Sequence, residues 1–181
     1  MADRSLLLQT CCGPCLTGSR MPFETEEDLK LTALWYNPNI HPYTEYDRRL
    51  QTLQRYVYLE PIDVHYIDRY DLYPFICGMI GAVRKNSGAI EPTMTTGERK
   101  DRCSFCYALR LRRTAEEAKE RGYGYFSTTM LLSKHQDHET IRRLGSEIGD
   151  DLGVDFLYKD LRKQWKDSIR ISRSYRMYRQ P

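Results

Sequence analysis

Near its amino terminus the chain reads Ser5-Leu6-Leu7-Leu8-Gln9-Thr10-Cys11-Cys12-Gly13-Pro14-Cys15, and this stretch sets the architecture. The apolar run Ser5–Gln9 is too short for a helix. It breaks at a cysteine-rich turn holding Gly13 and Pro14, so it reads as a buried strand followed by a turn. Leu31 to Tyr36 is a second such run, ended by Asn37-Pro38-Asn39. From Tyr43 to Leu59 the residues Tyr46, Leu50, Leu53, Tyr56 and Val57 recur at helical spacing. Ile62 to Ile67 alternates as a strand does, and Leu72 to Val83 is an apolar helix in which Cys77 is expected to be a small buried hydrophobe.

Residues 84–100 show no periodicity and read as a long loop before the second cysteine pair, where a gating role is plausible. A helix is predicted from Asp101 to Arg121, stopped by Gly122, then a strand from Tyr125 to Thr129. A helix over 137–152 closed by Gly153 and a last strand from Asp155 to Tyr158 follow. Strands alternating with helices give an α/β fold: a doubly wound, mostly parallel five-stranded sheet, Rossmann-like with an adenine nucleotide hydrolase-like layout. Residues 1–160 form the body of a single domain, and 161–181 a basic amphipathic helix packed on it. In such sheets ligands bind beyond the carboxyl ends of the strands. Cys11 and Cys12, Asn37 to His41, Ser127 to Ser133 and Asp160 all fall there.

At 181 residues the chain can bury a core without covalent staples. No apolar run approaches the roughly 20 residues of a spanning helix. No secretory segment precedes Ser5, so a cytoplasmic location is expected. Six cysteines in that reducing setting read as metal-binding or catalytic. The net charge is only +3, yet from Arg162 to Arg179 seven basic residues face one acid, Asp167. Leu161, Trp165, Ile169 and Tyr175 share one side of that tail; Arg162, Lys166, Arg170 and Arg173 share the other and suit an anionic partner such as RNA.

The cysteines form two groups, Cys11-Cys12-x-x-Cys15 and Cys103-x-x-Cys106. The first is expected in a strand-to-helix turn and the second in the first turn of a helix, so both lie at helix N-termini, whose positive charge favours thiolate. Three readings stay open on these residues. Two pairs of thiols close a structural zinc site and leave one idle, which would make the chain a zinc-stabilised RNA-binding module without catalysis. Cys12-Gly13-Pro14-Cys15 is a thioredoxin-like dithiol, which needs no second pair. A [4Fe–4S] cluster on Cys11, Cys12, Cys103 and Cys106 leaves Cys15 beside it. An ATP-dependent tRNA-thiolating enzyme, of comparable layout, is disfavoured because the turn after the first strand has no Ser-Gly-Gly-type phosphate loop.

Further motifs extend the pattern: Tyr36-Asn37-Pro38-Asn39-Ile40-His41-Pro42 with Glu45-Tyr46, and Arg102-Cys103-Ser104-Phe105-Cys106-Tyr107 with Arg110-Leu111. Phe126-Ser127-Thr128-Thr129-Met130-Leu131, Tyr158-Lys159-Asp160-Leu161-Arg162 and Tyr178-Arg179-Gln180 complete it. Together with the first cysteine group they resemble the non-cobalamin epoxyqueuosine reductases, QueH, over nearly the whole chain. The resemblance implies reduction of the epoxide of epoxyqueuosine at the tRNA wobble position, with an unidentified electron donor and no cobalamin. It implies a [4Fe–4S] cluster on Cys11, Cys12, Cys103 and Cys106 and one additional iron held by cysteine and aspartate. Cys15 and, in preference to Asp101, Asp160 are the residues expected there. Members of that family typically continue after Tyr-Arg-Gln with a Cys-x-Cys pair; this sequence runs to Pro181.

Opening an epoxide to an alkene and water takes two electrons and two protons. His41, inside a matching motif, is the favoured proton carrier, with Tyr107, His135 and His138 as further candidates. For His135 and His138 a solvated helix start is the expectation. Arginines interleaved with tyrosines, as in Tyr46-Asp47-Arg48-Arg49, Arg69-Tyr70 and Tyr175-Arg176-Met177-Tyr178-Arg179, suit splayed single-stranded RNA.

Overall fold

A computed structural model describes residues 4–87 and 96–180. The chain runs β1 (Ser5–Thr10), α1 (Gly13–Glu24), β2 (Lys30–Trp35), α2 (Tyr43–Leu59), β3 (Asp63–Tyr66) and α3 (Leu72–Ser87). It continues with α4 (Thr96–Arg121), β4 (Tyr125–Thr128), α5 (His138–Leu152), β5 (Asp155–Phe156) and α6 (Trp165–Ser174). All five strands pair in parallel in the order β3-β2-β1-β4-β5. This is the doubly wound α/β sheet expected. Helices α1, α2 and α6 pack together, as do α3, α4 and α5. The strand order reverses between β1 and β4, so their carboxyl ends flank the crevice where such sheets bind ligands.

Every residue of β1 is buried, which is why its sequence is nearly continuous leucine rather than alternating. The polar residues at its carboxyl end, Gln9 and Thr10, are satisfied. Gln9 donates to the Tyr36 carbonyl (3.0 Å) and to Asn37 Oδ1 (3.1 Å) and accepts from Thr128 Oγ1 (2.8 Å). Asn37 Nδ2 donates to the Thr10 carbonyl at 2.9 Å. This buried network ties the ends of β1, β2 and β4 to one another.

Three local expectations are corrected. The loop expected over 84–100 is shorter at both ends, because α3 runs to Ser87 and α4 starts at Thr96. Helix formers such as Arg84, Lys85, Glu98 and Lys100 extend both helices; 88–95, and with them much of the loop considered for gating, lie outside the described residues. Cys103 and Cys106 are consequently well inside α4, not in its first turn, and the charge of a helix end does not act on them. Cys77 is exposed. Helix α3 turns Phe75 and Gly78 towards α4, where a Cβ on Gly78 would come 2.5 Å from the Phe105 ring. Tyr73 and Cys77, four apart, face away.

The last strands are also shorter than expected. Thr128 Oγ1 accepts from the Met130 amide (3.1 Å), turning the chain into a 3-10 turn over Thr129–Leu132. The Tyr158 amide bonds back to the Phe156 carbonyl (3.1 Å), which closes β5. Helix α5 begins on the Asp137 cap and ends at Gly153, whose φ of 72° is the left-handed conformation that glycine tolerates best.

Gly145 in α5 lets the Phe156 ring lie against the helix. A Cβ there would stand 2.3 Å from that ring, which is held 5.1 Å from the Phe126 ring on the other side. Gly145→Ala gains about 1 kcal/mol of helix propensity but overpacks the core at a cost of about 1–3 kcal/mol. A lower melting temperature in calorimetry is the expected outcome.

Candidate functional site

A cavity of about 690 Å³ opens beyond the carboxyl ends of β1, β2 and β4. Cys11, Cys12, Cys15, His41, Arg49, Arg110, Thr129 and Gln136 are among the residues lining it, with Trp165 and Ile169 of α6 on one side. The cysteine turn is wedged between helices. A Cβ on Gly13 would meet the Thr52 carbonyl of α2 at 3.1 Å, and one on Gly18 would meet Ser168 Cβ of α6 at 2.8 Å. Ser168 Oγ also donates to the Pro14 carbonyl at 2.5 Å. The turn therefore depends on small residues at both contacts.

The sulfurs of Cys11, Cys12 and Cys15 lie within 4.8 Å of one another, a group able to hold a metal ion. Cys12 caps α1 and accepts from the Cys15 amide (3.4 Å). Cys11 and Cys12 sulfurs stand 3.8 Å apart, and Thr129 Oγ1 lies 3.5 Å from Cys11. Hydrogen bonds from Cys12 and Cys15 hold Cys11 well below the ordinary thiol range, with Thr129 and the Arg49 charge adding to them against burial. Cys12 and Cys15 are raised, first by the same sharing with Cys11. The three converging sulfurs are a soft donor set that fits zinc or iron–sulfur chemistry and not magnesium or calcium.

Cys103 and Cys106 are half-buried on α4 and are not part of that close group. They lie on the helix that carries Arg110 into the cavity, and Arg110 Nε donates to the Cys106 carbonyl at 3.2 Å. Asp160 is elsewhere. Its carboxylate receives Arg162 Nε (2.8 Å) and an Arg162 terminal nitrogen (2.5 Å), it is exposed, and it does not line the cavity.

His41 lines the cavity, and its Nδ1 is 3.1 Å from the Tyr70 hydroxyl, while Nε2 is buried with no hydrogen-bond partner among the described residues. Burial pushes its imidazole below the ordinary value. His135 is exposed and lines the cavity. His138 departs from the solvated helix start expected of it: it is buried, with Nδ1 3.3 Å from the Tyr158 hydroxyl and Nε2 3.1 Å from the Ser133 carbonyl. Tyr107 is also buried and engaged, donating to Gln136 Oε1 (2.7 Å) and accepting from the Asp137 amide (3.3 Å). Those bonds place Tyr107 and His138 behind the wall, supporting its lining residues Gln136 and Ser133.

Arg49 is the site residue that sequence reading passed over as a site residue, treating it as part of a basic-aromatic run. Its Nε donates to Glu45 Oε1 at 2.6 Å and a terminal nitrogen donates to Gln180, while Tyr178 donates to Glu45 Oε2 at 2.5 Å. The i,i+4 spacing of Glu45 and Arg49 was the only local signal. The helix expected over 161–181 is shorter: Arg162 lies in a 3-10 turn over Arg162–Gln164 before α6. It is exposed, as are Lys166, Arg170 and Arg173 on the outer face of α6. Arg162 pairs with Asp160 and Arg170 with Asp167.

The family model described as epoxyqueuosine reductase QueH matches residues 6–181. Curated relatives bearing that name include one from Dehalococcoides mccartyi, 31% identical over 97% of this chain and 87% of its own. Another, from Thermotoga maritima, is 31% identical over 97% and 85%, and one from Staphylococcus epidermidis is 30% identical over 97% and 72%.

Arg162 lowers Asp160 from its usual 3.8 to about 2. A depressed carboxyl contributes stability above its unfolded value and loses it as pH falls through the folded one. The pair is largely exposed, so screening keeps its worth at or below about 1 kcal/mol. Asp160→Asn should be slightly less stable than the parent at neutral pH. That gap should close as acid titration, followed by circular dichroism, approaches pH about 2.

Proposed function

Because the chain belongs to the QueH family of epoxyqueuosine reductases, we propose that this oxidoreductase converts epoxyqueuosine in the anticodon loop of tRNA to queuosine in the cytoplasm, without cobalamin. The observation that supports this reading best is the convergence of the Cys11, Cys12 and Cys15 sulfurs, within 4.8 Å of one another, at the switch point of the sheet. Cys11 and Cys12, with Cys103 and Cys106, would hold a [4Fe–4S] cluster. Cys15 would hold the additional iron, and Asp160 could join it only if its pair with Arg162 opened. When bound, these groups supply the electrons and a Lewis acid for the epoxide oxygen.

The protein's own residues do the rest. Removal of the oxygen as water consumes two protons, and one must be held at the cavity wall. If His41 Nδ1 accepts from Tyr70, its proton is on Nε2, the nitrogen without a protein partner. Arg49 and Arg110 line the cavity, with the Arg49 charge acting on Cys11 and Cys12, and both would offer positive charge to a departing oxygen. Buried Gln9 and Asn37 fix the strand ends, so these groups keep their spacing while substrate enters. Lys166 and Arg173 form no ion pair among the described residues, and with Arg162 and Arg170 they would hold tRNA phosphates. The electron donor is a separate partner.

Anaerobically prepared protein should be brown and contain iron and acid-labile sulfide, with iron in excess. Cys11→Ala should lose most of both. Incubated with a chemical reductant and tRNA bearing epoxyqueuosine, the parent protein should yield queuosine by nucleoside mass spectrometry. A colourless, zinc-bearing protein would overturn the cofactor set, and an unchanged epoxide with the cluster present would overturn the reaction.

A further inference from the structure

Beside the cysteine cavity lies a second one, of about 370 Å³, between one face of α2 and the turn that follows α6. We propose that this groove is a nucleotide subsite, holding the RNA residue next to the one presented to the cysteines. The inference rests on the tRNA reading above and names where the strand runs.

Four observations carry it. The first is charge. Arg48, Arg55 and Arg176 line the groove, are exposed, and form no ion pair among the described residues. The nearby acids are already engaged: Glu60 accepts from Tyr175, and Glu45 accepts from Tyr178 and Arg49. The surplus is cationic, as a phosphate contact requires.

The second is the aromatic lining. Tyr56 and Tyr175 meet edge to face at 5.8 Å, and the Arg48 guanidinium lies 5.7 Å from the Tyr178 ring centre. Single-stranded bases stack on such rings and guanidinium planes. Size agrees with this, since the volume sits near the lower end of small-ligand sites. It suits one base with its sugar.

Continuity is the third. Tyr178 borders both cavities. Behind the groove, Thr52 backs directly on Gly13 of the cysteine turn. A base in the groove and a base at the cysteines would be separated by a single wall, the relation of neighbouring nucleotides in a splayed loop.

The fourth is preorganisation. The Met177 amide bonds to the Ser172 carbonyl (2.9 Å), and Arg176 takes the left-handed φ of 49°, which side chains rarely adopt. Tyr175 and Tyr178 are each tethered to a carboxylate on the α2 side. The wall is built before any ligand arrives, which lowers the ordering cost of binding.

The test measures anisotropy of a fluorescent anticodon stem–loop RNA on anaerobically prepared protein carrying its native metal. Arg55→Glu with Arg176→Glu should weaken binding at least about tenfold, and Arg55→Gln with Arg176→Gln should flatten the salt dependence by about 1.4 in slope for two lost single-strand phosphate contacts. Both variants should keep the parent's circular dichroism spectrum, because these side chains are exposed. A stem–loop made abasic beside the wobble position should bind the parent more weakly, and the charge-reversed variant should show a smaller abasic penalty. Equal abasic penalties in parent and variant would overturn the subsite, as would unchanged affinity in a variant when Lys166→Glu with Arg173→Glu weakens binding. Polyglutamate displacing the RNA through this groove alone would overturn it in favour of an acidic protein partner. No binding of the stem–loop by the parent would instead defeat the tRNA reading itself.

Discussion

The site depends on a single buried amide. Gln9 is fully buried in the central strand, where an unpaired polar group would cost roughly 1–3 kcal/mol. All of its hydrogen bonds lead to neighbouring strand ends: Tyr36 and Asn37 on one side, Thr128 on the other. The cysteine turn begins two residues later. Its position relative to His41 and Thr129 is therefore set by a network that is satisfied only when the three strands end in register. Arrangement of soft ligands at a sheet edge needs such rigidity, because thiolates brought together repel unless charge and geometry are fixed around them.

The thiolate is stabilised from outside as well as within. Thr129 arrives from the 3-10 turn after β4 and reaches Cys11 twice, through its amide (3.3 Å) and its sulfur (3.5 Å). Arg49 arrives from α2, held by Glu45 so that its charge is carried without a swinging side chain. The same Glu45 receives Tyr178, and Arg49 also receives Gln180 as acceptor, so the carboxyl-terminal strap and the cysteine turn share one pair of residues. Packing of α6 against α1, through Ser168 on Pro14 and Gly18, joins them a second time. A basic terminal segment is in this way part of the wall around the chemistry.

How much of this was legible depended on the range of the interaction. The leucines of β1, the Asn37-Pro38-Asn39 break and the Gly153 stop are local signals, and the parallel α/β sheet followed from them. Cys11, Cys12 and Cys15 were legible because three thiols in five residues have few structural uses. Cys77 was misread because an apolar neighbourhood in sequence does not say which face of a helix meets a partner; Gly78 and Phe105 chose that face. The first turn of α4 was misplaced because weak helix formers at its start, Thr96 and Gly97, resemble loop. Tyr107 takes its place from Gln136 and Asp137, His138 from Tyr158 as well as the nearer Ser133, and Arg49 from the strap as well as Glu45; of these contacts only the i,i+4 pair of Glu45 and Arg49 leaves a pattern in the sequence. Asp160 illustrates the converse: a strand expected to reach Tyr158 put it on the rim, but β5 closes at Phe156 and an arginine two residues on captures both oxygens, so it does not line the cavity.

Charge and burial together explain why the two cavities differ in character. At the cysteines, cations stand close to buried sulfurs, and Arg110 is itself buried, so the field is strong and local in a poorly solvated pocket. Along α2, Arg48 and Arg55 are exposed, and salt screens them over about 8–10 Å. Such groups cannot hold a metal or alter a thiol, but they suit the repeated negative charge of a nucleic acid backbone. Tyr178 stands where the two regimes meet, its hydroxyl committed to Glu45 and its ring beneath Arg48. The proposed substrate, at once a reactive nucleoside and a polyanion, would need both kinds of surface within one residue's width, and the α2 face carries them because Glu45, Arg48, Arg49 and Thr52 follow one another within two turns of the same helix.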